Sequence, residues 1–295
     1  MGRKVYLNGR FIDRNKAKIS IFDHGLLYGD GVFEGIRSYD RLVFKLREHI
    51  DRLYKSADAI GLKIPMAKRI LIKAVRDTLK RNKLDNAYIR LVVTRGPGDL
   101  GLDPRKCKTG CTIFIITDKI ALYPRKFYER GLHIVSARTR KNYKRAIDPN
   151  IKSLNYLNNI LAKIDGIKKA SQEAIMLTHD DYVAECTSDN IFIVKSASGG
   201  KGTLLTPPRD TTLKGITQGA VINIARKKKL RFKEKNMRLG EIYKADECFL
   251  TGTAAEIVPV TKVDGHVIGT GKPGCVTREL MAAFHELTRV DGVRY

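Results

Sequence analysis

The stretch DPNIKSLNYLNNILAK, residues 148–163, sets Lys152 in a polar segment that runs into a helix-forming sequence, and the elements around it decide the fold. Residues near 154–169 read as a helix, and a second helix follows near 215–229. Between and around them lie short runs rich in β-branched and aliphatic residues: LHIVSA (132–137), EAIMLT (173–178), YVAE (182–185), NIFIVK (190–195) and TLLTPP (203–208). Such runs, bounded by turn residues, read as strands. Many short strands with few helices describe a barrel-like or a sandwich-like domain, and periodicity alone does not choose between them.

Upstream, ALYPRKFYERG (121–131) is charged, lacks a period and contains Pro124 and Gly131, so it reads as an interdomain linker. The expected division is a small domain over 1–120, the linker over 121–131, and a large domain over 132–295. The small domain opens with KVYLNGRFI (4–12), whose apolar residues flank Asn8-Gly9. That dipeptide tolerates the two positive φ angles of a tight hairpin turn. REHIDRLYKSADAIG (47–61) places Ile50, Leu53 and Ala57 on one helical face and stops at Gly61, and 67–84 repeats the pattern. AYIRLVVTRG (87–96) and CTIFIITD (111–118) read as strands, the second a continuous apolar run suited to a buried sheet. The first half is therefore mixed α and β.

Composition narrows the function classes. The chain has 295 residues and 43% hydrophobic content, enough for two ordinary cores. No segment approaches the roughly 18–20 uninterrupted apolar residues of a membrane span, and the polar start MGRKVYLNGRF does not read as a secretory signal. A cytoplasmic protein is expected. Five cysteines, at 107, 111, 186, 248 and 275, form neither a disulfide framework nor, without further ligand pairs, a zinc set. No metal is expected. Lys and Arg exceed Asp and Glu by 56 to 31, a formal charge of +25. The cations are scattered, as in KRNK and ARKKKL, and read as a solvated surface rather than a nucleic-acid-binding signature. A nucleic-acid-binding protein is the remote alternative. A positive field would also concentrate anionic ligands near the surface.

Lys152 within IKSLNYLNN is followed in order by YVAECTSDNIFIV (182–194), TPPRDTTLKGITQGAVI (206–222) and FLTGTAAEIVPV (249–260), and preceded by FDHGLLYGDGVFEGIRSYD (22–40). In this order and wording the chain resembles the class IV, fold type IV, pyridoxal 5'-phosphate (PLP) aminotransferases. That family includes branched-chain aminotransferases, D-amino acid aminotransferases and aminodeoxychorismate lyases. The resemblance implies an α/β (α+β) fold of two domains: a small mixed α/β N-terminal domain and a larger, β-barrel-like C-terminal domain with flanking helices.

It also implies roles for particular residues. Lys152 matches the lysine that carries PLP as a Schiff base, releases it to the substrate amine and shuttles a proton, chemistry that needs a primary amine. Read alone, it is a solvated ammonium in a basic chain. Glu185 matches the glutamate facing the pyridine nitrogen; alone, it is an exposed hairpin glutamate. Gly215, Ile216 and Thr217 open a helix whose N-terminal N–H groups would cup the phosphate, with Leu213 just before them and Thr253 beside them. Arg52 matches a phosphate-binding arginine, whose planar fork fits that dianion; its plain alternative is a surface pair with Glu48. Tyr156 is the candidate hydroxyl for the cofactor's phenolic oxygen. Two positions depart from the family pattern: Cys186 stands where relatives often have glycine, and Gln218 where the signature ends in lysine or arginine.

VFEGIR followed by a tyrosine is the branched-chain wording. It implies that Tyr28, Phe33, Gly35, Tyr88 and Tyr123 border an apolar side-chain pocket, and that Arg37 and Arg90 receive the side-chain carboxylate of glutamate. Ala254 and Ala255 would admit the α-carboxylate to backbone N–H groups. The implied activity is ping-pong transfer of the amino group between L-leucine, L-isoleucine or L-valine and 2-oxoglutarate, a branched-chain amino acid biosynthesis step. D-amino acid transfer and lyase activity stay open. So does dimer against hexamer, with part of each pocket supplied by a neighbouring subunit.

Overall fold

A computed structural model describes residues 2–119, 123–197 and 200–295; of the expected linker, residues 121 and 122 lie outside these. The chain separates into two compact units, one of residues 1–120, 151–155 and 288–295, the other of 121–150 and 156–287.

In the first unit, β1 (Lys4–Leu7) and β2 (Arg10–Asp13) form the expected hairpin, with Asn8 at φ 46° and Gly9 at φ 88°. Then come α1 (His24–Tyr28), β3 (Gly31–Tyr39), β4 (Leu42–Phe44), α2 (Leu46–Ala59), α3 (Lys68–Asn82), β5 (Ala87–Thr94) and β6 (Thr112–Asp118). They build one antiparallel sheet, in which β4, β3, β5, β6, β1 and β2 lie side by side and the chain's last strand adds to the β4 edge. Ile50, Leu53 and Ala57 of α2, with Leu71, Val75 and Leu79 of α3, are almost wholly buried against Ile36, Ile89 and Leu91 of the sheet. At roughly 1.5–3 kcal/mol per large apolar side chain, this burial outweighs the weak intrinsic helicity of segments so rich in like charge. Because β residues alternate, Glu34 and Ile36 face the helices while Phe33, Gly35 and Arg37 share the other face of β3. Residues 152–154 run beside the start of β3: Phe33 N–H donates to Lys152 C=O at 3.0 Å and Leu154 N–H to Gly31 C=O at 2.8 Å.

The second unit holds α4 (Arg125–Arg130), β7 (Leu132–Ser136), α5 (Leu157–Lys168), β8 (Ala174–Leu177), β9 (Val183–Cys186), β10 (Asn190–Ala197), β11 (Gly200–Thr206), α6 (Ile216–Lys227), β12 (Arg231–Glu234), α7 (Leu239–Tyr243), β13 (Glu247–Gly252), β14 (Glu256–Val263), β15 (His266–Val267) and α8 (Cys275–Thr288). The closing strand of the first unit is β16 (Gly292–Arg294). Hydrogen-bonded order runs β12-β11-β10-β13-β14-β7-β8-β9, with β15 added to β14. In a flat sheet, β9 and β10 would lie five strand spacings apart, about 24 Å. Only Thr187, Ser188 and Asp189 join them, and such a link reaches no more than about 14 Å. The sheet therefore curls on itself, which decides for the barrel-like form. Its interior is apolar, with Ile175, Cys186, Ile191, Ile193, Leu250 and Val258 all buried.

Two expectations about boundaries change. Residues 125–130 form a helix, and Phe127 and Tyr128 pack against this core, so most of the proposed linker belongs to the second unit. Residues 151–155 and 288–295, assigned to the large domain, fall in the first unit because they hydrogen-bond to β3 and β4.

Candidate active site

The first unit gathers a lysine, an arginine fork and an aromatic ring. The Lys152 ammonium stands 4.5 Å from the centre of the Phe33 ring, and the Arg90 guanidinium is also 4.5 Å from it. Arg90 is 5.6 Å from the Tyr88 ring as well. Gly35 lies opposite Arg90 in register, and a Cβ there would come 2.2 Å from the Tyr88 hydroxyl, so the missing side chain makes room for that ring. Arg37 lies 4.9 Å from the Tyr39 ring. Lys152 N–H donates to Ser56 Oγ at 3.1 Å, which ties the lysine's backbone to α2.

Arg52 does not pair with Glu48, which pairs with Lys45 at 2.9 Å. It reaches inward to Glu34, whose second oxygen also meets His49 Nδ1 at 2.7 Å. Tyr28 is in a different setting: it is exposed at the end of α1, edge-on to His24, and its hydroxyl accepts from Gly101 N–H at 2.9 Å.

The second unit gathers the carboxylate and the helix start. Glu185 is buried on β9, not exposed on a hairpin. Its Oε1 lies 2.6 Å from Lys141 Nζ, and its Oε2 accepts from Asn190 Nδ2 at 3.2 Å and from Leu213 N–H at 3.1 Å. Asn190 also donates to Leu213 C=O at 2.9 Å, joining β10 to the segment before α6. Gly215 is the N-cap of α6 and provides no capping side chain, so the N–H groups of Ile216 and Thr217 are presented to an outside acceptor. A Cβ on Gly215 would fall 2.1 Å from Asn190 Oδ1, so glycine is what allows this close approach. Thr253, Ala254 and Ala255 form the turn between β13 and β14. That turn adjoins the same place, since Asn190 is in register with Thr251 and Asp189 packs on Gly252. Tyr156 caps α5, and three residues on, Asn159 Nδ2 donates to Thr187 C=O at 2.7 Å, bringing this helix end to the β9–β10 link. Tyr123 packs on the apolar core against Phe127; burial and then the charges of Asp189 and Glu173 raise its phenol strongly.

These residues suit PLP in ways independent of any name. In the second unit the α6 start presents amide donors that suit a dianion; in the first, Arg52 is a fork braced by Glu34. Buried Thr212 Oγ1, Thr251 Oγ1 and Gln218 Oε1, all on segments flanking that start or turn, have no protein partner.

A family model described as amino-transferase class IV matches residues 31–263. The chain belongs to the class IV aminotransferases. A protein of Methanocaldococcus jannaschii, provisionally named a branched-chain-amino-acid aminotransferase, is 48% identical over 292 residues, covering 99% of this chain and 98% of that one. The crystal structure of the Escherichia coli branched-chain amino acid aminotransferase superimposes with a TM-score of 0.93 at 32% identity, covering 98% of this chain and 95% of that one. The Thermobaculum terrenum branched-chain enzyme in its PLP form gives 0.86 at 28% identity, covering 97% of this chain and 94% of that one.

Sequence reasoning about this aminotransferase missed Glu34, His49, Ser56 and Lys141. Glu34 was legible in principle: it is an acidic residue within VFEGIR at a position whose strand parity turns it into the core, and a buried acid needs a cation. Lys141 had no such signal, being one cation in a basic run.

Proposed function

We propose that this chain is a PLP-dependent branched-chain amino acid aminotransferase, moving the amino group of L-leucine, L-isoleucine or L-valine to 2-oxoglutarate. One observation carries the reading: Lys152 and Arg90 both stand 4.5 Å from the Phe33 ring. An amine for carbon–nitrogen chemistry, a guanidinium for an acidic side chain and an apolar ring for a branched one thus share one locality. Bound PLP supplies an electron sink next to the amino acid's Cα. Lys152 holds the cofactor and moves the Cα proton at its Nζ. Arg52 in the first unit, and Leu213, Gly215, Ile216, Thr217 and Thr253 in the second, are the residues that would hold the phosphate end; Glu185 would hold the ring nitrogen and Tyr156 the phenolic oxygen. Phe33, Gly35 and Tyr88 of the first unit, and Tyr123 of the second, are the residues that would exclude water from the substrate side chain. Ala254 and Ala255 carry side chains small enough for the α-carboxylate to approach the backbone, and Arg37 assists Arg90 with glutamate.

We infer that the chain works as a homodimer at least. Leu157, Ile160, Leu161, Ile164 and Ile167 form an exposed apolar stripe along α5, and Ile21, Phe22, Leu26, Leu27 and Tyr28 are exposed around α1. Lone surface helices seldom carry such a stripe. The five cysteines are free, which accords with a cytoplasmic setting, and among the described residues no helix is long and apolar enough to cross a membrane.

The test is the visible spectrum of the PLP-loaded protein with Lys152→Ala as control. A band that depends on Lys152, is lost on adding L-leucine and returns with 2-oxoglutarate is the expected result. A response to D-alanine or aminodeoxychorismate alone would reassign the activity within the family, and a wild-type protein with no Lys152-dependent band would overturn the PLP reading.

A further inference from the structure

Lys141 belongs to RTRKNYKR, residues 138–145, a run with five cations that reads as solvated surface. Two of them pair in the open, Arg140 with Asp181 at 2.5 Å and Lys144 with Asp210 at 2.8 Å. Lys141 turns inward instead, 2.6 Å from Glu185, with 11% of its side chain and 7% of the glutamate's exposed. The backbone on both sides is pinned to α5 and β8. Thr139 donates through its N–H and hydroxyl to Asp165, each at 2.9 Å, and Asn158 Nδ2 donates to Arg140 C=O at 2.8 Å. Lys141 N–H donates to Leu177 C=O at 2.8 Å, and Asn142 N–H to Asn158 Oδ1 at 3.1 Å. Four consecutive residues are thereby fixed, which a lysine serving only solubility does not require.

A carboxylate has about four lone-pair sites. Asn190 and Leu213 each donate a hydrogen bond to Glu185 Oε2, and the Lys141 ammonium forms an ion pair with Oε1. Oε1 therefore keeps lone-pair capacity, and the Lys141 ion pair anchors that oxygen. We propose that Lys141 is a positioning residue for the cofactor: it holds Glu185 so that Oε1 can meet a protonated pyridine nitrogen, while its charge balances the buried carboxylate. This rests on the reading of Glu185 as the ring-nitrogen partner. A purely structural ion pair would affect folding and leave the cofactor's binding and colour unchanged.

The experiment titrates PLP into the apoprotein by fluorescence and records the visible absorbance of the loaded protein, for wild type, Lys141→Met, Lys141→Arg and Lys141→Gln. Glu185→Gln serves as a background and Lys152→Ala as control. Lys141→Met is expected to weaken PLP binding about tenfold or more, as for loss of an outer-shell partner, and to shift the absorbance maximum. Lys141→Arg should restore most of both, and Lys141→Met should add little on top of Glu185→Gln. If Lys141→Met does not fold, Lys141→Gln, which retains a donor without charge, must still show the loss. A wild type with a Lys152-dependent band beside Lys141 variants of unchanged affinity and spectrum overturns this inference alone; a wild type without the band overturns the PLP reading beneath it.

Discussion

Arg52 closes a two-point fork on Glu34, Nε to Oε1 at 2.7 Å and Nη2 to Oε2 at 2.8 Å, and the glutamate has no exposed surface. Burial by itself would raise the Glu34 carboxyl, but the charges of Arg52 and then His49 outweigh it and hold the group down to about 2, against an ordinary 4.5. An acid depressed by folding stabilises the native state above its unfolded value and loses that contribution as the pH falls toward the folded one. The window is therefore pH 4.5 down to about 2, and the size on the order of 3 kcal/mol. Glu34→Gln should destabilise the protein by roughly that amount at pH 7, and the gap to wild type should narrow as the pH falls through this window in thermal unfolding. PLP affinity should fall as well, because Arg52 loses its brace. An equal deficit at pH 3 and pH 7 would contradict the electrostatic account.

Gly215→Ala tests the contact between the α6 cap and Asn190. The backbone there, at φ −61° and ψ 137°, accepts any residue, so the effect is steric. The new Cβ would displace Asn190 and with it the hydrogen bonds to Glu185 and Leu213, at a cost of about 1–3 kcal/mol in a packed site. Gly219→Ala, four residues on in the same helix, meets no atom within 4 Å; it should stabilise by up to about 1 kcal/mol, from helix propensity. Opposite signs in paired unfolding curves are the expected outcome, with weaker PLP binding in Gly215→Ala. Similar signs would place the cap contact elsewhere.

Asp189 gives a pH effect in the other direction. Burial, then the nearby charge of Glu173, pushes its carboxyl up to about 7 from 3.8. An acid raised by folding contributes fully below its unfolded value and loses that contribution as the pH rises through the folded one. Wild-type stability should therefore carry a falling component from about pH 4 to 7, separate from the Glu34 window. Asp189→Asn removes the ionisation. Its thermal midpoint should stand above that of wild type at pH 8, with the gap closing toward pH 4; a constant gap would mean that Asp189 does not take up a proton on folding.

The fold was readable where one physical signal dominated. Asn8-Gly9 fixed a hairpin because few dipeptides accept two positive φ angles, and the spacing of Ile50, Leu53 and Ala57 fixed the buried face of α2. The barrel was not readable from periodicity, since it follows from the pairing order that makes Thr187–Asp189 too short for a flat sheet. Helix α4 was missed because its pattern is brief and its packing residues, Phe127 and Tyr128, stand among charges. Motifs single out Lys152, Glu185 and the α6 start as candidates, but the residues packed against each of them are brought there by long-range contacts. Lys141 reaches Glu185 across 44 positions, and Arg52 chose Glu34 over its neighbour Glu48.

The α5 stripe makes a prediction that does not depend on the cofactor. Leu157, Ile160, Leu161 and Ile164 repeat at the three- and four-residue spacing of one helical face, and Leu157 and Ile160 are 62% and 52% exposed in the single chain. A face of this kind normally points into a core, where each such side chain would contribute roughly 1.5–3 kcal/mol on burial. The homodimer proposed above would provide that burial at no cost to the fold of either copy. Ile160→Glu should therefore convert the sedimenting species from a dimer or larger assembly to a monomer, and the monomer should keep its near-ultraviolet circular dichroism. Activity should fall with the assembly and recover partly at high protein concentration. If α5 faces solvent, the same change costs no more than about 0.5 kcal/mol and leaves the sedimenting species unaltered, so one velocity run on wild type and variant separates the two arrangements.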